Sequence, residues 1–171
     1  MTLQQLWAGW RIHYVESATA AERDGDDGDA CVFCRLAASG PPSADNGVVV
    51  RDELTFTVLN LYPYASGHLL VVPVRHVGMM DELTDAESSA LWEATRIAVA
   101  GVTATFQPDG VNMGANLGRA AGAGIPRHLH IHVVPRWSGD TNFMTSVAGV
   151  RVLPQSLEDS WRALRAHWPG G

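Results

Sequence analysis

The stretch RHLHIHVVPRW, residues 127–137, decides how the rest of the chain is read. It sets three histidines at alternate positions, with apolar residues between and after them. In an extended strand successive side chains point to opposite faces. His128, His130 and His132 are therefore expected on one side, and Leu129, Ile131 and Val133 on the other, in the core. A lone buried histidine is ordinary, but three in one row call for chemistry. One reading is a metal site, since imidazole is a common zinc ligand. The other is phosphoryl chemistry, because an unprotonated imidazole near neutral pH is a good nucleophile.

The residues upstream favour the second reading. GVNMGANLG (residues 110–118) reads as a strand running into a glycine-rich loop, RAAGAGIP (residues 119–126). Gly118, Gly122 and Gly124 let backbone N–H groups approach an anion. Asn112 and Asn116 add neutral donors. Arg136 fits either a polyphosphate tail or a surface carboxylate, and Asp140 begins a polar loop just after it.

Elsewhere the pattern is that of an α+β domain. Residues 48–51, 54–61 and 68–74 read as strands separated by short turns, so the sheet is mostly antiparallel. Residues 83–106 read as the main helix, with Thr84 and Glu87 forming a capping box and Leu91, Thr95, Ala98 and Val102 an apolar stripe. A last helix starts at Ser156, with Asp159 three residues on, and runs to about Trp168. Residues 1–30 read as a docking helix carrying Leu3, Leu6, Trp7, Trp10 and Tyr14, followed by an acidic, glycine-rich linker. Residues 31–171 form the domain itself.

With 171 residues, 46% of them apolar, the chain suits one soluble domain. A net charge of −6 argues against a general nucleic-acid binder. There is no apolar run long enough to span a membrane and no signal-peptide pattern at the N-terminus, so a cytoplasmic location is expected. The two cysteines, Cys31 and Cys34, form a C-x-x-C pair that suits metal binding or redox chemistry better than a disulfide.

The run HLHIHVV, residues 128–134, resembles the signature of the histidine triad (HIT) superfamily of nucleotidyl hydrolases and transferases. CVFC (residues 31–34) and the segments 56–76, 121–137 and 139–144 fall in the order such proteins show. The opening LWAGWRIHYV, residues 6–15, resembles the branch that includes diadenosine tetraphosphate phosphorylases. The resemblance implies an antiparallel sheet with one main helix and a C-terminal helix, assembled as a homodimer with helix 83–106 at or near the two-fold axis. It implies cleavage of a nucleotide substrate at the α-phosphorus, first of all a dinucleoside polyphosphate. Hydrolysis of nucleoside phosphoramidates or adenylylated small molecules, or nucleotide binding without catalysis, are the alternatives. His130 would be the nucleophile and His132 would contact the α-phosphate. His68 would orient the nucleophile's other ring nitrogen, Asn60 would hold the ribose, and Asn116 would contact phosphate. Gly122 and Gly124 lie in the loop before the triad. Cys31, Cys34, His76 and His128 match a structural zinc site. Many relatives carry Gly-Gln-Ser/Thr where this chain has Ala123-Gly124-Ile125, so backbone groups are left to handle the leaving group.

Overall fold

The computed structural model describes residues 31–140 and 154–169. The expected docking helix and linker over residues 1–30, and Thr141–Met144 of the loop after the triad, lie outside the described residues. The elements in chain order are α1 (Val32–Ala37), β1 (Val48–Arg51), β2 (Thr55–Leu59), β3 (Leu69–Pro73), α2 (Asp85–Phe106), β4 (Gly110–Ala115), β5 (Ile131–Arg136) and α3 (Leu157–His167). Single 3-10 turns stand at Met80–Glu82 and Arg119–Ala121.

The five strands form one antiparallel sheet in the order β1-β2-β3-β5-β4. Strand boundaries follow the β-branched and aromatic runs read from the sequence. The triad departs from that reading in one respect. β5 begins only at Ile131, so His128, at a bend, and His130 lie in the approach to it and His132 alone is a strand residue. The alternation still holds. Leu129, Ile131 and Val133 are buried in the main core with Leu69 and Val71 of β3 and Leu91, Ala98 and Val102 of α2.

The sheet thus has two different faces. One is covered by α2 and α3. On the other, Phe33 of α1 packs over Phe56, Val58, Leu70 and Val72 in a smaller cluster, which leaves the rest of that face open. α2 starts where Thr84 caps it, accepting from the Glu87 N–H at 3.3 Å. The Glu87 carboxylate returns to the Thr84 N–H at 2.8 Å and takes Arg75 in a two-pronged pair at 2.7 and 2.6 Å. Arg75 follows β3 closely, so this buried carboxylate ties the end of β3 to the head of α2. Gly101 of α2 lies under Trp168, where a Cβ would sit 2.8 Å from the indole ring. That close contact with the end of α3 accounts for a glycine within α2.

The two edges of the sheet differ. β1 bulges between Val48 and Val50, and α3 covers its carbonyls: Trp161 Nε1–H donates to Val48 O at 2.8 Å and Arg165 Nη1–H to Val49 O at 3.0 Å. β4, at the other edge, carries neither charge nor proline, the usual guards of an open edge. Among the described residues, no helix is long and apolar enough to cross a membrane.

Hydrogen bonds from Arg75 and Thr84 hold the Glu87 carboxyl down to about pH 2 in the folded state. A depressed carboxylate pKa contributes stability that is present above the ordinary carboxylate range and is lost as pH falls from about 4.5 towards 2. Urea midpoints measured at steps from pH 6 to pH 2 should fall more steeply for the wild type than for Glu87→Gln, with the two curves converging at the acid end.

Candidate active site and metal cluster

Two groups of side chains meet where β5 begins. The first is the C-x-x-C pair with two histidines. Cys31 opens α1, and the turn of helix brings Cys34 back beside it. His76 follows β3, and His128 precedes β5. Cys31 Sγ lies 3.3 Å from His128 Nδ1, and Cys34 Sγ lies 3.2 Å from His76 Nδ1 and 3.6 Å from His128 Nδ1. All four ligand atoms fall within 4.8 Å of one another. A tetrahedral ion with bonds of about 2.0–2.3 Å needs its ligand atoms at roughly such spacings.

The ring chemistry fits as well. His128 Nε2 lies 2.9 Å from the Pro73 carbonyl, which can only accept, so this nitrogen carries the proton and Nδ1 presents its lone pair to the cysteines. Burial pushes the His128 imidazole down to about 4, so it stays neutral. Both thiols are free of disulfide. Cys31, Cys34, His76 and His128, the four residues expected as ligands, can therefore hold a metal ion.

The second group is the rest of the triad with His68. His130 Nδ1 lies 2.8 Å from the His128 carbonyl and must donate to it. In the neutral ring this leaves the Nε2 lone pair available. Burial lowers the His130 pKa and so favours that neutral form. Phe33 packs on His130 with ring centroids 5.1 Å apart.

His68 does not sit behind His130, as the resemblance implied. Its Nδ1 accepts from the Tyr64 backbone N–H at 3.0 Å, so its proton is on Nε2, which donates to His132 Nδ1 at 3.0 Å. The proton of a neutral His132 is then on Nε2. Ring chemistry thus differs along the triad: His130 offers a lone pair and His132 an N–H. The reason lies in the register, which sets Leu70 of β3, two residues beyond His68, opposite His132. Gly67, at φ +77°, turns the chain into this strand, and a Cβ there would meet the Phe106 ring at 2.3 Å.

Asn60 is anchored beside His68. Its Oδ1 accepts from the Tyr62 N–H at 3.0 Å, which fixes the amide so that Nδ2 faces His68 Nδ1 at 3.3 Å. Tyr64, in the turn between Asn60 and His68, stacks on His132 at 13° and 5.9 Å. From the sequence Tyr64, close to Asn60, reads first as part of a packed turn, with contact to a nucleotide base as the alternative; its contact with β5 has no local signal.

These residues border a cavity of about 670 Å³ on the open face of the sheet. Its floor and walls are apolar, from Phe33, Leu36, Val58, Leu70 and Ile125. Asn60, Asn116, Gly122, Gly124, His130 and His132 stand on its lining too. The expected substrate-binding residues are thus gathered around one space. Gly122 takes φ +87° where the loop turns back towards the triad, a conformation that side chains disfavour.

Fold and site together define an α+β domain with a histidine cluster at the end of an apolar cavity. Residues 42–139 match the family model described as HIT domain, and the chain belongs to the HIT family. It is 42% identical over 169 residues to an AP-4-A phosphorylase of Mycobacterium tuberculosis, covering 97% of this chain and 85% of that protein. It is 33% identical to an asymmetrical bis(5'-nucleosyl)-tetraphosphatase of Schizosaccharomyces pombe, over 54% of this chain and 50% of the other. A crystal structure of a Zn-bound histidine triad family protein from Mycobacterium smegmatis superposes with a TM-score of 0.65 at 30% identity, covering 83% of this chain and 95% of that one. The phosphorylase relative supports a HIT-family enzyme that processes nucleotides.

If the four-residue cluster holds a metal, Cys34→Ser should lower the metal bound at saturation, read by atomic emission after gel filtration. It should also lower the melting temperature of the metal-loaded protein, because an ion that binds only the folded state stabilises it.

Proposed function

We propose that the protein cleaves dinucleoside polyphosphates at the α-phosphorus through a covalent nucleotidyl-histidine formed on His130. The observation that carries this reading is the His130 ring. Its Nδ1–H is committed to the His128 carbonyl, and the ring lines the cavity in a buried, neutral setting.

In the first step His130 Nε2 attacks the α-phosphorus of a nucleotide whose base fills the apolar cavity and whose ribose meets Asn60. A P–N bond forms and the P–O bond to the remaining polyphosphate breaks, with the electron pair leaving on that oxygen. His132 Nε2–H donates to a phosphate oxygen as charge builds on it. The chain from the Tyr64 N–H through His68 keeps His132 in the donating tautomer. Asn116 and the backbone of the Gly122–Gly124 loop supply further neutral donors. In the second step an oxygen of inorganic phosphate or water attacks the same phosphorus and the P–N bond breaks, restoring His130. With a dinucleoside tetraphosphate the products are a nucleoside triphosphate and a nucleoside diphosphate, or a monophosphate if water is the acceptor. The 42% identity to a phosphorylase supports phosphate as the acceptor.

The metal in this reading is zinc, held by Cys31, Cys34, His76 and His128. A Cys₂His₂ set is closed and structural, so the ion's chemistry is to hold the start of β5 in place. Thiols kept as ligands suit a reducing cytoplasm. The uncharged β4 edge supports a homodimer.

With diadenosine tetraphosphate, His130→Asn should lower turnover by at least about a thousandfold, since loss of a covalent nucleophile removes the reaction path itself. Nucleotide binding by calorimetry should persist. Wild-type turnover in phosphate buffer should yield ADP and ATP by chromatography. Unchanged turnover in the variant would reject the covalent route.

A further inference from the structure

A second cleft of about 320 Å³ adjoins the first. It lies past His132 on the same face, over β4 and the C-terminal half of β5. Tyr64, Asn116 and His132 border both spaces, so the imidazole that donates to phosphate stands at their boundary. The second space differs in character. Its far end is formed by Arg136, Asp140 and Asn112.

The register explains why these residues share a face. Gly114 pairs with His132, Asn112 with Val134 and Gly110 with Arg136. Gly114 has no side chain, and a Cβ there would meet nothing within 4 Å, so the floor opposite His132 stays open.

Arg136 is held in place and only partly used. Its Nε–H donates to Asp140 Oδ2 at 2.5 Å, one Nη2–H to Asp140 Oδ1 at 2.9 Å, and one Nη1–H to Asn112 Oδ1 at 2.9 Å. A guanidinium has five N–H donors. By count these three bonds leave one proton on Nη1 and one on Nη2. Asp140 is turned to Arg136 and to the Trp137 N–H at 3.3 Å, so its charge is already engaged. A pre-oriented guanidinium with N–H donors to spare suits the oxygens of a phosphate group. Four residues of strand separate His132 from Arg136, about 13 Å at the usual rise. That reach exceeds one phosphoanhydride link and suits a chain of several phosphates.

The geometry points to this cleft as the leaving-group site, with Arg136 binding the phosphate chain that departs from His130. The inference rests on the nucleotidyl-transfer reading above. In it the retained nucleoside occupies the apolar cavity, the scissile bond lies beside His132, and the distal phosphates run along β5 to the guanidinium. Arg136 thereby favours polyphosphate leaving groups over small ones.

The test compares Arg136→Gln with the wild type on two substrates, diadenosine tetraphosphate and the p-nitrophenyl ester of adenosine 5'-phosphate. The ester's leaving group carries no phosphate. On the tetraphosphate, kcat/KM should fall roughly tenfold to a hundredfold, the scale of hydrogen bonds to a charged group. On the ester it should stay within about twofold, which also shows that the variant folds. Equal losses on both substrates would assign Arg136 to fold maintenance and overturn the inference, as would an unchanged rate on the tetraphosphate. A wild type that cleaves the ester and not the tetraphosphate would overturn it while leaving nucleotidyl transfer intact. A wild type inactive on both would remove that reading and this inference with it.

Discussion

His128 is bound three ways, and the site depends on all three. Its ring faces Cys31 and Cys34 through Nδ1, it donates to Pro73 O through Nε2, and its backbone carbonyl receives the His130 Nδ1–H. The first two bonds fix where the residue sits. The third fixes the tautomer, because a neutral ring that donates through Nδ1 keeps its lone pair on Nε2. Two residues later in an extended chain, His132 falls on the same side. The cluster around the cysteines therefore helps to set how the His130 ring is aimed. With the His128 ring turned to the cysteines, the triad is divided between two sites and cannot act as a three-histidine metal centre.

The sheet supports this arrangement by giving its two faces different work. Leu69, Val71, Ile131 and Val133 project into the core under α2 and α3, a packing that resists displacement of β3 and β5. The residues between them project to the other side, where only the short α1 covers part of the surface. An apolar cavity with histidines at its end follows from leaving that face incomplete. Low polarity around His130 also matters electrostatically. It keeps the imidazole neutral and strengthens the hydrogen bonds that fix its tautomer. The edges are treated as differently as the faces. α3 reaches over β1 to bond its bulged carbonyls, while β4 meets no such guard in its own sequence.

Local signals in the sequence were enough to place most of this. Period-two alternation put Leu129, Ile131 and Val133 inside and the histidines outside, and the Thr84–Glu87 box set the start of α2, because both depend on residues a few positions apart. The strand start at Ile131 was missed by alternation, which is a property of extended backbone whether or not it is hydrogen-bonded to a neighbour. What joins distant segments was harder to read. His68 lies 64 residues from His132, and which ring nitrogen meets which is settled by the β3–β5 register and by a backbone N–H from Tyr64. The Cys₂His₂ cluster was legible only through family resemblance, since C-x-x-C alone names two of four ligands. Arg136 had two readings, a carboxylate or a phosphate chain. The structure shows the carboxylate contact and, by donor count, leaves room for the other on the same guanidinium.

That shared guanidinium bears on how an acidic chain handles an anionic substrate. The site holds little free positive charge. Burial favours the neutral form of His130, Arg136 is offset by Asp140, and the remaining lining offers amides and backbone N–H groups. Neutral donors fixed in place lose less on desolvation than mobile cations do, and they act without reorganising as charge moves in the transition state. A site of this kind gains little from long-range attraction and depends instead on fit. In the reaction proposed above, the nucleoside fills the apolar cavity and so brings the phosphates to donors beside it. Ala123-Gly124-Ile125 takes this further, since it leaves the loop before the triad with no polar side chain between Arg119 and Arg127. Any contact from that stretch to phosphate has to come from the backbone, whose aim is set by the turn at Gly122.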